Sequence, residues 1–149
     1  MSLTIIRAEI KTILDSVTAL GNVYDYHRWT VRPEQFITLY VTASKINGCS
    51  FARRSTAENR ETLGPRYLRI YDFGFMVFYG LDDSEATGKF FQDSIIEDIC
   101  TKFRAKHDLS GKCQKHDLIQ VESVTEMMFS DYLVHYAELG LTVYEELNS

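Results

Sequence analysis

His107, Cys113 and His116 stand within ten positions of one another, with Asp108 and Asp117 beside them. Imidazole nitrogen and thiolate sulfur are ligands that zinc prefers, so this run is the first place to look for a metal. Structural zinc sites need four ligands at tight spacing, usually opened by a close cysteine pair, and no second half follows His116. A solvated connection between elements is the better reading, and no metal is expected. His135 is a second candidate, as a general base. It stands alone on an aliphatic face, with no serine or cysteine in a nucleophile turn and no paired carboxylates on a shared strand end, so only geometry could give it that role. Gly80 to Lys89 ends in Gly88-Lys89, but the glycines are too far apart for a phosphate-cradling loop, and Phe90 follows where a Ser or Thr belongs. Asp93, Glu97 and Asp98 share the polar side of one helix, which reads as a solvated face. The sequence therefore offers no catalytic residue, no metal ligands and no cofactor site.

Charge gives a different kind of lead. Arg53, Arg54, Arg60, Arg66 and Arg69 make the middle of the chain locally basic, diluted by Glu58 and Glu61. A guanidinium fork grips carboxylate or phosphate at two points. Beyond a mixed-charge exposed loop, the cluster therefore suits a subunit contact or a brush against a phosphate backbone. The whole chain has 21 acidic and 16 basic residues, a net charge of −5. That balance excludes a general nucleic-acid binder, whose affinity comes from counterions released by a basic footprint. It leaves room for a protein past which DNA slides.

The 149 residues, 45% hydrophobic and 25% charged, suit one globular domain spanning 1–149 with a core of its own. No run approaches the length of apolar residues needed to cross a bilayer. The N-terminal MSLTIIRAEIKTIL carries charges where a signal peptide would keep an apolar stretch, so cytoplasmic synthesis is expected. Cys49, Cys100 and Cys113 are an odd number at irregular spacing and fit reduced thiols.

The elements that would position these residues follow from periodicity. Ile6, Ile10, Ile13, Leu14, Val17 and Leu20 recur at helical steps, predicting a helix from Leu3 to Ala19, capped by Ser2 or Thr4 and stopped at Gly21-Asn22. Val23–Trp29, Gln35–Ala43 and Ile46–Arg54 read as short strands, with Arg32-Pro33 separating the first two. Ser55–Pro65 is polar, ends in Gly-Pro and reads as a long exposed loop. Arg66–Leu81 alternates, and both its faces turn apolar towards its end, as in a central strand covered on both sides. Asp82 and Glu85 would cap a second helix. Its buried stripe is Phe91, Ile95, Ile96, Ile99, Cys100 and Phe103. The segment from Asp117 to Glu146 is a closing hairpin. Its last strand sets Leu133, His135, Ala137, Leu139, Leu141 and Val143 on one face, with Tyr132, Val134, Tyr136, Glu138, Gly140, Thr142 and Tyr144 on the other. The predicted class is α+β: a mixed or antiparallel sheet of about five to six strands with two helices packed on one face. Surplus aromatic surface, including Tyr132, Tyr136 and Tyr144 as a candidate interface strand, points to self-association.

Three stretches together resemble the tail terminator (tail completion) proteins of long-tailed bacteriophages: the first helix running into VYDYHRWTVRPEQFITLYV, RRSTAENRETLGPRYLRIYDFGFMVFYGLDDSEATGKFFQDSIIEDIC, and VESVTEMMFSDYLVHYAELGLTVYEE. The likeness lies in element order and texture. It implies a structural virion protein, made in the host cytoplasm and carried in the tail or neck. Such a protein forms a homo-oligomeric ring, a hexamer in the family, on the last ring of tail tube protein. It stops tube growth and meets a head-completion or connector protein, while DNA passes through the channel without specific binding. No membrane and no catalytic residue are implied. The family's channel or subunit-contact loop maps onto Ser50–Pro65, with Arg53, Arg54, Glu58, Arg60, Glu61 and Arg66 as its candidate residues. Another neck or head–tail connector protein is the alternative within the same class. A small intracellular enzyme or ligand-binding domain built around His135 and the aromatic strand is the reading from another class.

Overall fold

Helical spacing of isoleucines produces the first element. In the computed structural model, which describes residues 2–26, 41–42, 45–60, 64–81, 86–129 and 132–148, helix α1 spans Ser2–Asp15. Ile6, Ile10, Ile13 and Leu14 are all buried, as are Val17 and Leu20 in the turns that follow. The helix ends earlier than its apolar period implies. Ser16 Oγ donates to the Ile13 carbonyl at 2.5 Å, and the amides of Ser16, Val17 and Leu20 bond three residues back. A serine hydroxyl offers the backbone an alternative to the helical ladder, and here the chain takes it.

The strands are β1 (Asn22–Tyr24), β2 (Val41–Thr42), β3 (Lys45–Asn59), β4 (Arg66–Gly80), β5 (Lys115–His116), β6 (Gln120–Phe129) and β7 (Tyr132–Asn148). They form one mixed sheet in the order β1-β3-β4-β7-β5, with β2 on β3 and β6 on β7. Among the described residues, only β1 on β3 is parallel. The class is α+β. Asn47 ties the first helical segment to the sheet, donating to the Ala19 carbonyl at 2.8 Å and accepting from the Gly21 amide at 2.9 Å.

The second helix, α2, runs through Thr87–Phe90, a π-helical stretch Phe91–Ile96 and Glu97–Arg104. Phe91, Ile95, Ile96, Ile99 and Phe103 are buried along it as the stripe predicted, with Cys100 partly buried beside them. Asp82 and Glu85, the expected cap, lie outside the described residues. The helix is entered through Ala86, which has a left-handed φ of 54°.

One large core lies between the helices and the sheet. From β4 it takes Tyr71, Phe73, Phe75, Val77 and Tyr79, and from β7 Ala137, Leu139, Leu141 and Val143. Met76 and Phe78 join Val134 and Tyr136 in a smaller cluster on the other face. So β4 is buried on both sides from Phe73 to Tyr79, as its two-sided apolar run requires.

One expectation is corrected. Ser55–Pro65 is not a long loop, because β3 continues to Asn59 and pairs with β4 through Asn59↔Leu68. Both faces of that extension meet water, so it needs no apolar alternation, and polar composition conceals a strand. Of the connection that remains, residues 61–63, including Glu61, lie outside the described set. His27–Trp29 and most of Gln35–Ala43 also lie outside it. Val41 and Thr42 pair antiparallel with Ile46 and Lys45.

Candidate functional site

β7 delivers His135 to the helix side of the sheet, opposite Tyr79 of β4. Its Nε2 lies 2.9 Å from the hydroxyl of Thr87, at the start of α2. The imidazole stacks on Phe91, ring centres 5.7 Å apart. Glu126, opposite it on β6, approaches Nδ1 only to 3.7 Å. Hydroxyl, imidazole and carboxylate in a row are the ingredients of an acyl-transfer triad. Thr87 and His135 are sealed, however, at 3% and 4% exposed, and the carboxylate, on an exposed side chain, is beyond hydrogen-bond range. The open hollow nearby, about 310 Å³, is lined by Ala86, Lys89, Phe90, Asp93 and Ser94, with none of the three among them. The arrangement joins helix to strand.

The zinc-like run is equally occupied. Both ring nitrogens of His116 lie 2.7 Å from carbonyl oxygens, those of Asp117 and Lys106. Neither is left to bind a metal. Burial pushes the Cys113 thiol up to about 12, so the thiolate that zinc needs is disfavoured. Among the described residues, no three His, Cys, Asp or Glu side chains gather as a metal site would require.

The arginines are placed by strands. Beyond the helical layer, the ends of β3, β4 and β7 continue as a three-stranded arm whose β4 portion, Arg66–Ile70, is exposed or half-buried. Arg54 leaves β3 at a bulge and lies flat across the face opposite the helices. Its guanidinium reaches Asp72 at 3.0 Å and both oxygens of Glu122 on β6 at 2.9 Å. Two paired glycines make the path. A Cβ on Gly74 would lie 2.6 Å from Arg54 Cδ, and one on Gly140 would lie 2.8 Å from its Nη2. Arg66 pairs with Glu146. Arg60 donates to the Gly64 carbonyl at 2.6 Å, and the Arg69 guanidinium lies 5.0 Å from the Tyr71 ring centre. Glu58 is exposed on the arm beside an open hollow of about 360 Å³ that it lines with Asn59, Arg60 and Tyr67. Two of the five arginines, Arg54 and Arg66, are thus matched by carboxylates within the chain. Arg53 is exposed and makes no ion pair among the described residues.

Tyr71, on the same arm, donates to Glu145 Oε1 at 3.0 Å. Burial, reinforced by that carboxylate, pushes its phenol up to about 12 from an ordinary 10. A raised folded value brings stability that is complete below pH 10 and is lost as pH climbs through about 12. Replacing Tyr71 with Phe is therefore expected to flatten the alkaline fall in the urea midpoint over that window. An unchanged fall would place its cause elsewhere.

The candidate interface tyrosines have partners within the chain. Tyr136 is buried against Phe78, ring centres 5.3 Å apart, and donates to Glu138 at 2.8 Å. Tyr144 donates to Asp117 at 2.9 Å, and the Lys115 ammonium lies 4.7 Å from its ring centre. Tyr136 thus packs on β4, and Tyr144 lies against β5 and Asp117. The Tyr132 side chain lies outside the described residues. Exposed apolar surface gathers elsewhere: Leu118, Val121, Val124, Met128 and Leu133 are all between 39% and 63% exposed. The sequence signal for this was the alternation within VESVTEMMF, which sets Val121, Val124 and Met128 on the helix side of the sheet, with Met127 on the other face.

No family model matches this chain, and neither does any curated protein. Among the described residues, no helix is long and apolar enough to cross a membrane.

Proposed function

We propose that the chain is a structural virion assembly protein, a tail terminator ring that caps the tail tube of a long-tailed bacteriophage and joins it to the head–neck complex. The observation that carries this reading is the contrast between a sealed interior and open sheet edges. Thr87 and His135 are buried among the described residues, whereas Val121, Val124 and Met128 of β6 are exposed among them. Contiguous apolar surface of this kind marks a protein contact. The resemblance in element order supplies the rest: a homo-oligomer, hexameric in the family, with tail tube protein on one side and a head-completion or connector protein on the other. Net negative charge and the pairing of Arg54 and Arg66 with carboxylates suit a channel that lets DNA pass without holding it.

Purified chain added to polymerising tail tube subunits is expected to arrest tube growth and to appear as a terminal ring by electron microscopy. Tubes that lengthen unchecked, together with purified tails that lack the chain, would overturn the reading.

A further inference from the structure

The two open edges of the sheet differ in character. On one side β6 pairs only with β7, and its outer edge is unpartnered among the described residues. It carries Glu122 and Glu126, with no lysine, arginine or proline over Gln120–Phe129. On the other side β1 and β2 cover β3 only as far as Ser50. From Phe51 to Asn59 the outer edge of β3 is also bare among the described residues, and it carries Arg53, Arg54 and a single acid, Glu58. An unpaired edge offers a row of amide and carbonyl groups to another strand, and most proteins block it with lysine, proline or cover. Neither edge here is blocked by lysine or proline.

We propose that copies of this chain join by continuing the sheet, the β6 edge of one protomer pairing with residues 51–59 of β3 in the next. The proposal rests on the ring reading above and names the seam of that ring. Arg54 and Glu122 already pair within the chain, so the join that brings opposite charges together anew is the unlike one, Arg53 of one edge against Glu126 of the other. Unlike edges make a head-to-tail contact, which closes into a ring when the rotation permits.

Direction and stagger agree with that join. β3, β4, β7 and β6 are each antiparallel to the next, so β6 runs opposite to β3. Rotation about an axis near the strand direction then makes the new pair antiparallel. Glu126 of β6 is level through His135 with Tyr79, whereas Arg53 on the open β3 edge is level with Phe73. Those levels differ by six residues along β4, roughly 20 Å at a strand's rise, across four strands that span roughly 19 Å. The resulting tilt is about 45°, within the range at which sheets close into barrels. That stagger sets Arg53 opposite Glu126. Both lie on the helix side, since Arg53 pairs with Phe73 and Glu126 with His135. The exposed Val121, Val124 and Met128 then fall under the neighbour.

Charge reversal tests the seam on the full chain, with association read by analytical ultracentrifugation and terminal rings counted on tubes. Arg53→Glu and Glu126→Arg, each alone, are expected to weaken association at least about tenfold, and the double variant to recover it. Both residues are exposed, so melting curves should match the parent. As a second measurement, Arg53→Cys protomers mixed with Glu126→Cys protomers are expected to form a disulfide dimer under mild oxidation, which the unaltered chain does not. Rings that assemble undiminished in both single reversals, or assembled rings without that cross-link, would overturn the seam and leave the ring standing. An unaltered chain that stays monomeric in solution and on tubes would overturn the ring, and the seam with it.

Discussion

Truncating Phe75 to alanine is expected to lower the unfolding free energy by about 3–5 kcal/mol. The ring is 1% exposed at the middle of the central strand. It meets Phe51 edge-on at 5.7 Å and Phe103 at 5.7 Å, so it bridges β3, β4 and α2. Its neighbours are strands held on both sides by long ladders, and they cannot collapse into the space left behind. A domain of this size has roughly 5–15 kcal/mol in total. The loss should therefore appear as a fall of about 10 °C or more in the thermal midpoint. Phe90→Ala is the matched control, because that ring is 40% exposed on the rim and should cost less than about 1 kcal/mol. Equal losses in the two variants would mean that the core does not centre on β4.

How far the sequence reveals this fold depends on which faces are wet. Where one face is dry, periodicity reports it. Ile6, Ile10, Ile13, Leu14, Val17 and Leu20 are all buried, and so are Ala137, Leu139, Leu141 and Val143 on the predicted inner face of β7. Where both faces are wet, the signal vanishes. Ser55–Asn59 pairs along its length with β4, yet its polar side chains read as loop. Boundaries set by local hydrogen bonds are also hidden, such as the end of α1 at Ser16. The candidate site was half legible. The arginine cluster could be found from its charge, but the pairing of Arg54 could not. Arg54 reaches Glu122 across two strands through a path left by Gly74 and Gly140. Nothing in the spacing of 54, 74, 122 and 140 announces that path, because it depends on register and on bulges in two strands. The partners of the tyrosine face of β7 are hidden for a related reason: Tyr136 has a polar tip, and the Glu138 carboxylate two residues along that accepts from it is set by rotamer and register rather than by composition.

His135 decides between the two classes of function, and its removal should be a matter of stability alone. His135→Ala is expected to cost about 2–4 kcal/mol, combining the cavity beside Phe91 with loss of the bond to Thr87. His135→Gln retains a donor and an acceptor in similar space and should cost less. Thr87→Val removes the same bond from the other side at nearly constant volume, and about 1–3 kcal/mol is expected. If the bond is what matters, the two sites are coupled. The double variant Thr87→Val with His135→Ala should then be less destabilised than the sum of the singles, by about 0.5–3 kcal/mol. Rings formed by His135→Gln should still assemble, since the imidazole is buried inside one protomer and approaches the seam residue Glu126 only beyond hydrogen-bond range. A working triad predicts the reverse pattern: Thr87→Val would leave stability intact and abolish a turnover. A chain whose melting point ignores both substitutions would show that the buried hydroxyl–imidazole pair does not hold α2 against β7.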